Sequence, residues 1–63
     1  NMTYKQEMIE SLKHSIEHAN ERIAELTEPC VKSLAHSRSA ERDFWKKKIK
    51  VYKWKLKELK DEA

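Results

Sequence analysis

The sequence predicts an all-α protein, an antiparallel hairpin of two long helices. Three observations lead there. Glycine is absent and proline occurs once, at Pro29, within 63 residues. Glu, Lys, Ala and Leu are abundant, and these side chains lose little rotamer freedom in a helix. Two apolar seams of helical spacing flank Pro29, and no alternating strand pattern of useful length is present.

The first helix is expected over about residues 3–28. Thr3 is a good N-cap, and Gln6 three residues on completes a capping box. Ile9, Leu12, Ile16, Ala19, Ile23 and Leu26 follow at alternating spacings of three and four. This is an unbroken seam with isoleucine at every first heptad position. Ala19 is the small member, where a facing helix can approach closely.

A connector is expected over about 29–38. Proline removes a backbone donor and clashes with the preceding turn, so one straight helix is excluded. Residue 28 is pushed out of helical geometry. Pro29 is suited to open a new helical turn, which gives a short segment of about Cys30–His36. His36-Ser37-Arg38-Ser39 reads as a second soft spot, with Ser39 as the next N-cap. An uninterrupted second helix from Pro29 is the alternative. The last helix is expected over about 39–61, on a seam of Trp45, Ile49, Tyr52, Leu56 and Leu59.

A single domain of this length rarely gains more than about 3–5 kcal/mol from its core. Cys30 is the only cysteine, so no disulfide within the chain can supplement that core. Oligomerisation is the usual remedy, and a homodimer forming a four-helix bundle is expected. In size and layout such a dimer resembles the small helical-hairpin dimers that bind RNA and control plasmid copy number. No motif is shared, so no functional residue carries over. The compact, lysine-rich composition fits a bacterial or phage protein.

No apolar run approaches the roughly 20 residues that span a bilayer, and no signal-peptide pattern is present. A lone cysteine fits a reducing compartment, and a cytoplasmic location is expected. Asn1 ahead of Met2 reads as an expression remnant.

Charge is divided between the halves. Residues 1–29 hold three Lys or Arg against six Glu, while residues 30–63 hold eleven against five acids. Eight lysines fall between Lys46 and Lys60. The residues flanking the first seam include no acid, so the lysines flanking the second are not expected to pair across the hairpin. Phe44, Val51 and Trp54 lie outside the second seam, which makes the last helix apolar on two sides. Those residues either fill a dimer interface or anchor a foreign partner.

A binding role follows, through Phe44, Lys46, Lys47, Lys50, Val51, Lys53, Trp54 and Lys57. The leading reading is a regulatory or accessory protein that docks a protein partner. The alternative is a nucleic-acid-binding dimer that contacts phosphates with the same lysines, with Tyr52 or Trp54 stacking on unpaired bases. The absence of arginine after Arg42 counts against base-specific reading. An anionic membrane surface ranks below both.

No enzyme, cofactor or small-molecule substrate is expected. Cys30 and His36 cannot build a water-excluding nucleophilic site on an exposed hairpin. Cys30 reads as a small apolar filler or a link between subunits. His14 and His18 have the helical spacing of a metal pair, but they sit on the solvent face with no enclosing pocket. No metal site is expected there.

Overall fold

A computed structural model describes residues 3–62 of the chain. Asn1, Met2 and Ala63 lie outside the described residues, as does the reading of Asn1 as a remnant. Helix α1 spans Tyr4–Thr27 and helix α2 spans Ala35–Asp61, with one 3₁₀ turn at Lys32–Leu34 between them. Among the described residues there is no strand. The two helices pack antiparallel into a body of 49 × 20 × 11 Å.

The start of α1 is set by chemistry legible in the sequence. The Gln6 amide donates to Thr3 Oγ1 at 3.1 Å, and the Thr3 amide donates to Gln6 Oε1 at 2.8 Å. Two of the orphan donors at the helix start are thereby satisfied.

Its end is set by Pro29. Glu28 turns extended, with ψ 151°, as the residue before a proline prefers. Two side chains then cover the last carbonyls. Thr27 Oγ1 donates to the Ile23 carbonyl at 2.6 Å, and Arg42 Nη1 donates to the Leu26 carbonyl at 2.7 Å. Arg42 comes from the opposite helix, so it both caps α1 and ties α2 to it.

The connector differs from expectation. Pro29 does not open a helix, because the chain stays extended through Val31, at φ −64° and ψ 146°. Helical geometry begins at the Lys32–Leu34 turn and continues directly into α2. The second soft spot is absent, and α2 starts at Ala35 rather than Ser39. Ser39 is therefore not an N-cap. The physical reason is that His36–Ser39 contains neither glycine nor proline, so nothing there forbids helix. Ser37 satisfies its own hydroxyl by donating to the Leu34 carbonyl at 3.1 Å.

This placement makes an unequal pair of predictions. Thr3→Ala should cost about 1 kcal/mol, as lost N-caps do. Ser39→Ala should cost nothing measurable, since alanine is the better helix former in an interior turn. Urea midpoints at constant slope measure both.

The core is thin. Ala19, Leu26 and Ile49 are buried, at 0%, 4% and 9% exposure. Ile9, Leu12, Ile16, Ile23, Trp45, Tyr52, Leu56 and Leu59 are only half-buried. Ala19 is the most covered because a methyl side chain lets the helices meet there. Two helices cannot shield both flanks of their seams, so the other seam residues remain partly wet.

Candidate functional site

All eight proposed contact residues, Phe44, Lys46, Lys47, Lys50, Val51, Lys53, Trp54 and Lys57, project from α2 and are exposed. At 100° per residue, Lys46, Lys50, Lys53 and Lys57 fall within an arc of about 60° on one side of the helix. Trp54 and Lys47 adjoin that ridge. Phe44 and Val51 lie beyond Trp54, nearer the other broad side of the hairpin. The structure therefore brings the five lysines and Trp54 together on one side of α2, and sets Phe44 and Val51 apart on another.

Among the described residues, none of the lysines between Lys46 and Lys60 enters an ion pair. Lys48 Nζ sits over the Phe44 ring, 5.6 Å from its centroid, a cation–π contact. All eight of these lysines are exposed.

Lys13–Glu10 and Arg22–Glu25 pair within α1, but the ion pairs that cross between the helices run against the charge division of the halves. Arg22 on α1 grips Glu41 on α2 from two nitrogens, at 2.8 and 3.4 Å. Lys5 lies 3.9 Å from Glu62. Cross-seam pairing is thus more available than the sequence suggested, with α1 supplying the base each time. Both Arg22 and Glu41 occupy seam-flanking positions. Their meeting depends on the relative slide of the helices, which the connector sets and periodicity does not reveal.

Glu41 Oε2 also accepts from Trp45 Nε1 at 3.1 Å. Trp45 in turn meets His18 edge-on at 5.7 Å and Phe44 at 5.2 Å. Hydrogen bonds from Arg22 first, and from Trp45 second, hold the Glu41 carboxyl below its ordinary value of 4.5. A carboxylate with a depressed folded pKa stabilises the fold above its unfolded pKa. That contribution shrinks as pH falls below about 4.5 and is gone once Glu41 is protonated in the fold. Glu41→Gln should therefore lower the melting temperature at pH 7 and flatten its decline below pH 4.5. Parallel thermal melts of both proteins from pH 7 to pH 2.5 measure this.

His14 and His18 line an open groove of about 550 Å³ with Ser11, Trp45 and Tyr52. Among the described residues no three His, Cys, Asp or Glu side chains come together as a metal site. Cys30 is exposed in the connector, so it is not the apolar filler that its neighbour Pro29 suggested. The extended geometry of Glu28–Val31 carries it away from the seam. Among the described residues no helix is long and apolar enough to cross a membrane.

No family model matches the chain, and no curated protein or solved structure is significantly similar to it. Its function must therefore be argued from the surface itself.

Proposed function

We propose that the chain is a small, non-enzymatic regulatory or accessory protein of the cytoplasm that docks a protein partner through α2. It acts as a homodimer, two hairpins forming a four-helix bundle. One observation carries the reading. The lysine ridge of α2 has no acidic partner among the described residues, while Trp54 beside it is 61% exposed. An unneutralised charge ridge with an aromatic anchor suits recognition of an acidic surface that also offers an apolar pocket. Lys46, Lys47, Lys50, Lys53 and Lys57 supply the charge and Trp54 the adjoining apolar anchor, with Phe44 and Val51 extending the apolar contact farther round α2.

Nucleic acid is the second reading, favoured by the alignment of four lysines along one side of α2. Lysine suits phosphates as a point charge without selecting bases. Fluorescence anisotropy with labelled single- and double-stranded 30-mers separates the readings. The protein-docking reading expects only non-specific affinity, a Kd of about 10⁻⁴–10⁻⁶ M at physiological salt. A tighter Kd that weakens by about 10³-fold or more between 50 and 200 mM salt, as six or more phosphate contacts require, would replace it with the nucleic-acid reading.

A further inference from the structure

We propose that the hairpin holds one acidic, amphipathic helix of its protein partner in the furrow between α1 and α2, on the broad face away from the Arg22–Glu41 pair. The inference rests on partner docking by α2. It adds a contact surface on α1 and the form of the segment that docks.

The two broad faces differ in charge. The Arg22–Glu41 pair and the His18–Trp45 contact lie on one of them, where Glu7 and Glu25 stand among Arg22, Lys48 and Lys55. At 100° per residue, the opposite flank of the α1 seam carries Ile9, Ile16, Asn20, Ile23 and Thr27 within an arc of about 60°. The flank of α2 beside it carries Lys46, Lys50, Lys53 and Lys57, also within about 60°. No acid falls within either arc. Glu17 and Asp43 stand at the outer rims, and Asp61 joins Lys53, Lys57 and Lys60 where the furrow ends. On the α1 side, Lys5 and Lys13 are already matched to Glu62 and Glu10.

These residues set the form of the occupant. Ile9, Ile16 and Ile23 are half-buried, so part of each is still wet. They repeat every seventh position over about 21 Å of α1, and the four lysines run alongside for about 16 Å. An apolar row of helical period in a furrow between helices matches the i, i+3, i+4, i+7 anchors of a third helix. At the roughly 8–10 Å spacing of packed helices, that helix covers the isoleucines and holds one flank over the lysines. Its acids are therefore gathered on that flank. Nucleic acid offers phosphates to the lysines but nothing to the isoleucines, which favours a protein helix.

A second copy is unsuited to this face. Two-fold symmetry sets a patch against itself, and the middle of the furrow has no acid to meet its own lysines. The homodimer above therefore leaves it open. Trp54 stands on the outer side of the lysines, and Phe44 and Val51 lie outside the furrow.

The full chain can be panned, at about 150 mM salt, against a ribosome-displayed library of random 18-residue peptides, each about 27 Å long as a helix. Enriched peptides should share an apolar stripe of helical period, with Asp or Glu gathered along one side. The leading peptide should gain helical circular dichroism on binding. Enrichment of extended, neutral or basic sequences, or no enrichment, overturns the proposal. So does a labelled single-stranded DNA 30-mer that binds at least tenfold more tightly than the leading peptide, which makes the face a phosphate surface.

Substitutions at exposed positions separate the furrow from docking by α2 alone. Asn20→Glu, among the isoleucines of α1, should weaken binding of the leading peptide at least tenfold in fluorescence anisotropy, and so should Lys53→Glu. Ser11→Glu, on the other broad face, makes the same charge change as Asn20→Glu and should leave affinity unchanged. Loss with Lys53→Glu alone overturns the furrow and leaves docking by α2 standing. Affinity kept in both variants, or lost with Asn20→Glu alone, overturns the furrow and the lysine ridge together. Equal loss with Ser11→Glu overturns the choice of face. Circular dichroism of all three variants confirms that the helices are retained.

Discussion

Ile49→Ala is expected to unfold most of the chain at 25 °C when it is studied at low micromolar concentration. Ile49 is the one buried side chain of α2 and faces a core whose other buried members are Ala19 and Leu26. Truncating a buried isoleucine to alanine costs about 2–5 kcal/mol, part from lost transfer and part from the cavity left behind. A core of this size rarely supplies more than about 3–5 kcal/mol. The loss is therefore comparable with the whole. Helical circular dichroism at 222 nm should fall accordingly. Any residual melt should begin well below the wild-type midpoint, since 1 kcal/mol shifts a domain of 60–100 residues by about 4–8 °C. Val51→Ala is the control, because Val51 is 46% exposed and surface substitutions usually stay within about 0.5 kcal/mol. Equal melts for the two variants would mean that the helices do not meet along the Ala19–Ile49 line.

Reversing the ridge should have the opposite profile, leaving the fold intact and abolishing partner binding. Lys46→Glu, Lys50→Glu, Lys53→Glu and Lys57→Glu together take the formal net charge from +3 to −5, two charges per site. All four positions are exposed, and glutamate is nearly as good a helix former as lysine. Thermal melts should therefore stay close to wild type. Affinity for an acidic partner should drop by at least 100-fold, because four attractive contacts become four repulsions and like charges across an interface reject the mate. Lys32→Glu, in the 3₁₀ turn and off the ridge, should leave binding unchanged. Retained affinity in the fourfold variant would exclude the ridge as the contact surface and leave the Trp54 strip as the only anchor.

Much of the hairpin was legible because its determinants are local. Thr3 and Gln6 are three residues apart and need nothing beyond α1 to find each other. The seam from Ile9 to Leu26 is periodic, and Pro29 acts on its own neighbours. The start of α2 was misread because serine is ambiguous, serving as a cap or as an interior residue that bonds back to a carbonyl. The helix takes the second course at Ser37, and Arg42 capping α1 holds α2 in place from the far side.

The surface was legible in part. That the lysines crowd one helix is plain from the chain itself. That they go unpaired among the described residues, while Arg22 and Glu41 pair instead, depends on how far α2 slides along α1. The extended Glu28–Val31 segment sets that slide, and no periodicity encodes it. Trp45 shows the same limit. Its seam position was readable, but its indole bond to Glu41 and its edge contact with His18 follow from the register alone.

The most direct measurement is affinity capture from a lysate of the source organism, with nuclease treatment, using the wild-type chain and the fourfold lysine-to-glutamate variant as paired baits. Mass spectrometry of the two eluates should show a protein retained by the wild type, resistant to nuclease and missing from the variant. The same proteins in both eluates, or a wild-type set that vanishes with nuclease, would contradict protein docking through the α2 ridge.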